Sequence, residues 1–145
     1  MSTEENKAVV RRLFEEVVNQ GNLAALDELT TDDIVTHTPV PGIMPDREGF
    51  RQFLGVFLTA FPTQHTEVHD VIAEGDRVAV RHTHHVTHGG EFMGMPPSGR
   101  EATVAGIEIF RVADGKIAEM WHQDDVLSLL QQLGAIPEPE QPAEA

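Results

Sequence analysis

The sequence predicts an α+β fold, a curved antiparallel sheet wrapped around three N-terminal helices so that sheet and helices enclose a conical cavity. Three observations carry this. Helical periodicity is confined to the first sixty or so residues and a short stretch near the end. From Thr66 to Asp125 the apolar residues alternate with period two instead. The alternating runs are joined by Gly75-Asp76 and Asp114-Gly115, which are turn signals of the kind that link neighbouring antiparallel strands.

Taken in order, Glu4 to Asn19 is an amphipathic helix. Val10, Leu13, Phe14 and Val17 follow helical spacing, Thr3 is placed to cap the start and Gly21 to end it. Asn22 can cap a shorter helix through Leu29, with Leu23, Leu26 and Leu29 on one side. Asp32 to Thr38 is a short strand ending near His37. The prolines of TPVPGIMP then rule out a regular element and make a rim loop. Asp46 caps a third helix whose stripe, Phe50, Phe53, Leu54, Phe57, Leu58 and Phe61, is unusually aromatic. Such a stripe packs against a sheet, and its ring edges can also line an apolar cavity. Pro62 stops the helix.

The strand region begins with Val68, Asp70 and Ile72 on one parity. Arg77 to His88 is a long strand in which Val78, Val80, His82, His84, Val86 and His88 share a face. The loop GGEFMGMPPS, with Met93 near its centre, reads as an apolar lip over a cavity mouth. Two further strands, 100–112 and 116–125, form a hairpin around Asp114-Gly115. Asp125 is placed to cap a last helical turn, Leu127 to Leu133. Residues 1–134 thus read as one domain, and 135–145 as a flexible acidic tail rich in Pro and Glu.

Composition narrows the function. The chain has 145 residues and no cysteine, so thiolate metal sites, disulfides and cysteine nucleophiles are excluded. With 10 Lys and Arg against 24 Asp and Glu, the net charge of −14 disfavours nucleic acid as a partner. No apolar run is long enough to span a membrane, and the start of the chain lacks a signal core, so the expected location is cytoplasmic. Eight histidines and no tyrosine mean that aromatic acid–base chemistry has to use imidazole.

The hairpin holds the chemistry. Val104, Gly106, Glu108 and Phe110 share one face of its first strand, and Ala118, Met120, His122 and Asp124 share one face of its second. A carboxylate and an imidazole in neighbouring apolar rows read as a pocket floor. Glu108 and His122 are therefore the candidate acid–base pair, with Asp124 in reserve. The plainer reading is a buried structural pair. Phe14, Phe53, Phe57, Phe110 and Met120 are candidate walls for a small hydrophobic ligand, with His37, His82, His84 and Met93 as further contacts. His82 and His84, two apart on a strand, also match the spacing of metal ligands. On a common face with Glu108 and His122 they would make a metal cage.

Several segments together resemble the SnoaL-like polyketide cyclases, of the nuclear-transport-factor-2-like cone fold. They are VVNQGNLAALDEL, DIVTHTPVPG, REGFRQFLGVFLTAFP, GEFMGMPPSGR and GIEIFRVADGKIAEMW with LLQQLG, and the likeness runs from about Glu5 to Gly134. It implies an intramolecular aldol-type ring closure without metal or cofactor. In the family, the key carboxylate is an aspartate on the last strand beside a tryptophan, with a histidine on the neighbouring strand. Those places fall at His122 and Glu108, so the residue types are exchanged. A shift of two residues would put the carboxylate at Asp124 instead. The family tends to carry a histidine where His37 stands, and an aromatic residue more often than a histidine at the place of His82. Trp121 falls on the face opposite His122, with Ile117, and implies that this outer face is covered, most simply in a homodimer.

Overall fold

The computed structural model describes residues 2–37 and 40–137. The rim-loop residues Thr38 and Pro39, and the expected tail from 138 onward, lie outside the described residues. Helix α1 (Thr3–Arg12) begins at Ser2, not Thr3. Ser2 Oγ accepts from the Glu5 amide at 3.1 Å while the Glu5 carboxylate reaches back to the Ser2 amide, a reciprocal capping box. The helix runs on into π-helical turns (Leu13–Asn19), where the Gln20 amide bonds the Glu15 carbonyl five residues back. Leu13, Phe14, Val17 and Val18 in these turns are all buried. Asn19 reaches the sheet, where its side chain bonds both backbone groups of Thr66.

After Gly21, at φ 71°, a 3-10 turn (Leu23–Ala25) leads into α2 (Leu26–Leu29), and Asn22 makes no side-chain cap here. Strand β1 (Thr30–His37) follows, then α3 (Arg47–Ala60), capped by Asp46 Oδ1 on the Gly49 amide at 2.8 Å. Strands β2 (Thr63–Glu74), β3 (Arg77–Thr87), β4 (Glu101–Ala113) and β5 (Lys116–Asp124) make the expected antiparallel meander, and α4 (Val126–Gln132) is capped by Asp125. The sheet order is β1-β5-β4-β3-β2. Strand β1 adds to the free edge of β5 in parallel, so the five-stranded sheet is mixed, not wholly antiparallel.

Two bulges shift the facing of residues. In β2 the pairing skips at His69, so Val68 and then Val71 and Ala73 pack inward, while Ile72 turns out and is 65% exposed. In β5 the pairing skips at Ala118, so Ile117 faces the core and is fully buried, not beside Trp121 on the outer face. The main core lies between the helices and the inner face, from Val10, Phe14 and Leu26 to Val80, Phe110 and Met120. A second apolar cluster under α4 joins Phe61, Val86, Val104 and Leu129. No helix among the described residues is long and apolar enough to cross a membrane.

Candidate active site

Five ionisable side chains meet on the inner face. Register explains why. Glu108 of β4 is paired with His122 of β5, and Gly106 is paired with Asp124 on one side and with His82 of β3 on the other. His84 follows His82 two residues on, so it shares the face. Gly106 leaves a gap in the row across which its neighbours lean. A Cβ there would come 2.0 Å from Asp124 Oδ1 and 2.6 Å from His82 Cε1.

The three imidazoles turn their Nε2 atoms toward the two carboxylates. His122 Nε2 lies 2.7 Å from Asp124 Oδ2 and 3.3 Å from Glu108 Oε1. His82 Nε2 is 3.5 Å from Glu108 Oε1 and 3.9 Å from Asp124 Oδ1. His84 Nε2 is 3.6 Å from Asp124 Oδ2, and its Nδ1 is held by Thr66 Oγ1 at 2.6 Å. All five are buried or nearly so, and His82 is wholly inaccessible. Burial disfavours the His122 imidazolium, but the Glu108 charge and the bond to Asp124 outweigh it and raise its pKa to about 9. Burial also disfavours an ionised Asp124, yet the bond from His122 and the nearness of His84 hold that carboxyl well below the usual range.

One edge of the cluster meets an apolar cavity of about 170 Å³. Phe53, Phe57, Phe61, Phe92, Val104 and Leu129 are among its walls, and His84, His122 and Asp124 open onto it. A smaller recess of about 40 Å³, bounded by Phe14, Phe50, Met120 and Glu108, shares Phe53, Phe57, His84, His122 and Asp124 with it. Ring contacts fix the imidazoles: Phe53 meets His122 edge-on at 5.6 Å, Phe57 lies 5.2 Å from His84, and Phe14 lies 5.3 Å from His82. Among the described residues, neither Lys nor Arg lines either space.

Of the residues singled out in the sequence, Glu108, His122, Asp124, His82 and His84 come together. Phe14, Phe53, Phe57 and Met120 line the cavities. Phe110 does not reach them; it is fully buried in the core behind Phe14, edge-on at 6.0 Å. His37 is not a pocket residue. Ile34 and Thr36 take the inward positions of β1, so His37 faces out, stacked on Trp121 at 4.9 Å and bonded to Glu119 at 2.8 Å. Met93 is not a wall either: at φ 50° it points away and is 69% exposed, while its neighbour Phe92 packs on Phe61 at 5.2 Å. Phe92, Gly106 and Thr66 were not singled out as site residues. A glycine inside a strong strand pattern was the available signal for Gly106. Local sequence held none for the loop rotation that chooses Phe92 over Met93.

A family model described as SnoaL-like polyketide cyclase matches residues 8–133. Among solved structures, AclR of Streptomyces galilaeus, a candidate hydroxylase, is 31% identical with a TM-score of 0.85, over 97% of this chain and 87% of that one. IdmH of Streptomyces antibioticus, a candidate polyketide cyclase, is 35% identical with a TM-score of 0.79, over 89% of this chain and 98% of its own. A SnoaL-like candidate cyclase from Jannaschia is 29% identical, with a TM-score of 0.81 over 93% and 95% of the two chains. No curated protein matches the chain.

Proposed function

The chain belongs to the SnoaL-like polyketide cyclase family, and from that premise we propose that it moves a proton at a carbon beside a carbonyl, in a small uncharged apolar compound. The observation that carries this reading is Glu108 and Asp124 flanking His122 at 3.3 and 2.7 Å, where His122 and Asp124 line both the apolar cavity and the smaller recess and Glu108 lines the recess. Glu108 takes the proton from carbon, and the electron pair moves onto the carbonyl oxygen. The His122 imidazolium, held at Nε2 by Asp124, donates its other N–H to that oxygen. In a ring closure the enolate carbon then attacks a second carbonyl of the same molecule, and the alkoxide formed takes the proton back from Glu108. In an isomerisation Glu108 returns the proton at another carbon. Both outcomes balance without a further reactant.

The apolar walls, with no Lys or Arg among the described lining residues, favour a neutral ligand over an anion. The test is a panel of neutral aryl ketones and β-keto esters in D₂O, followed by proton NMR. Deuterium entering beside the carbonyl with wild-type protein and not with His122→Ala supports the reading. Tight binding with no exchange would make this a binding protein instead.

The outer sheet face supports a second proposal, a homodimer. Val35, Ile72, Ile107 and Ile109 are exposed there, between 39% and 65%, around the His37–Trp121 stack. With a chain charge of −14 as well, that face is a poor match for nucleic acid or an anionic membrane. Acid–base chemistry of this kind is compatible with the cytoplasm.

A further inference from the structure

We propose that His82, His84 and Asp124 form a site for a divalent first-row transition metal of the zinc class. This goes beyond the acid–base reading and departs from the cofactor-free chemistry that the family resemblance implies.

Two independent observations carry it. The first is convergence. Each residue offers one ligand atom, and the three atoms lie within 4.8 Å of one another. His84 Nε2 and His82 Nε2 approach different oxygens of Asp124, at 3.6 and 3.9 Å. Ligands bonded at the usual lengths to one tetrahedral zinc stand roughly 3.4 Å apart, so small side-chain rotations suffice. The second is an orphan. His82 is fully buried, and neither of its ring nitrogens has a hydrogen-bond partner among the described residues. Asp124 Oδ1, which faces it, has none either. A buried imidazole without partners is costly, and an ion on Nε2 removes much of that cost.

The donors fix the metal class. Two imidazoles and one carboxylate, with no thiolate, suit zinc, cobalt, nickel or ferrous iron. Calcium and magnesium prefer oxygen throughout. Thr66 stands where an outer-shell partner would: its Oγ1 lies 2.6 Å from His84 Nδ1 and holds the ring with Nε2 toward Asp124. His84 and Asp124 also line the larger cavity, so the metal's remaining positions open toward a ligand there. Glu108 stays outside this set, although it lies 3.5 Å from His82.

The test uses tag-free full-length protein, stripped with chelator and titrated with Co²⁺ while the visible d–d bands are read. One Co²⁺ per chain, displaced by Zn²⁺, is expected. The bands should be lost in His82→Ala and in His84→Ala. They should appear at about 10- to 100-fold higher Co²⁺ in Thr66→Val, which keeps all three ligands. The exposed pair His65→Ala/His85→Ala should bind as wild type does. Circular dichroism checks each fold, and Thr66→Val decides if the ligand variants unfold. No bands with excess Co²⁺ would overturn the proposal. So would binding unchanged in the site variants, or lost only in the exposed pair. No substrate is present, so this result is independent of the exchange assay, and either reading can fail alone.

Discussion

Gly106 and Asp124 face each other across β4 and β5, and the Asp124 carboxylate occupies the space a side chain on Gly106 would need, 2.0 Å from an added Cβ. The whole cluster depends on that gap. Gly106 has no positive φ, so alanine is acceptable to the backbone, and the conflict is confined to the tips of Asp124 and His82. Gly106→Ala should therefore fold, lose about 1–3 kcal/mol of stability as an overpacked core variant, and lose activity out of proportion to that. Thermal melts paired with the exchange assay check this. Full activity in Gly106→Ala would mean that the cluster geometry is unimportant.

Stability should follow pH through His122 and Asp124. The His122 pKa is raised in the folded state, so its contribution is complete below about 6.5 and is lost as pH rises through about 9. The Asp124 pKa is lowered, so its contribution is present above the ordinary carboxylate value and is lost as pH falls through the folded one. Both describe one interaction, so its full strength lies between about pH 4 and 6.5. In urea unfolding of chelator-treated protein, the stability difference between wild type and His122→Gln should be greatest there and shrink toward pH 9. A difference that stays constant from pH 6 to pH 9 would contradict the pairing.

Phe92 closes one side of the cavity from a loop rooted by the Gly89 and Gly90 amides on the Ala60 carbonyl. Phe92→Ala should weaken an apolar ligand by about tenfold, the loss of one ring's contact, with little effect on folding because the ring is only half-buried. Met93→Ala should do neither, because that side chain is exposed. Ligand titration by fluorescence of a neutral aryl probe separates the two.

The outer face gives a test of assembly. Wild-type protein should run at twice the 16.0 kDa chain mass in light scattering, and Ile107→Glu/Ile109→Glu at the single mass. A monomeric wild type at micromolar concentration would contradict the proposed dimer.

The part of the site most legible in sequence was the hairpin. Its turn is as the Asp-Gly signal requires, with Asp114 at φ 50° and Gly115 at 78°, and that turn sets Glu108 against His122. Asp124 needed only the same alternation. Long-range pairing was less accessible. The facing of His37 depends on β1 joining β5 in parallel, and nothing in its own seven or eight residues specifies that. Ile117, Val68 and Ile72 were misplaced by bulges, since one extra residue reverses every later side chain. The π-helical turns left no mark in the pattern, because Val10, Leu13, Phe14, Val17 and Val18 also fit the stripe of a regular helix. Local pattern gave the chemistry its residues, and register gave it their distances.

The most direct measurement of the central claim is α-proton exchange in D₂O by chelator-treated Glu108→Gln. The side chain keeps its shape, so the variant should fold, bind the same neutral ketone and yet lose exchange by at least about 100-fold, the contribution expected of a positioned base. Exchange at the wild-type rate would contradict Glu108 as the base.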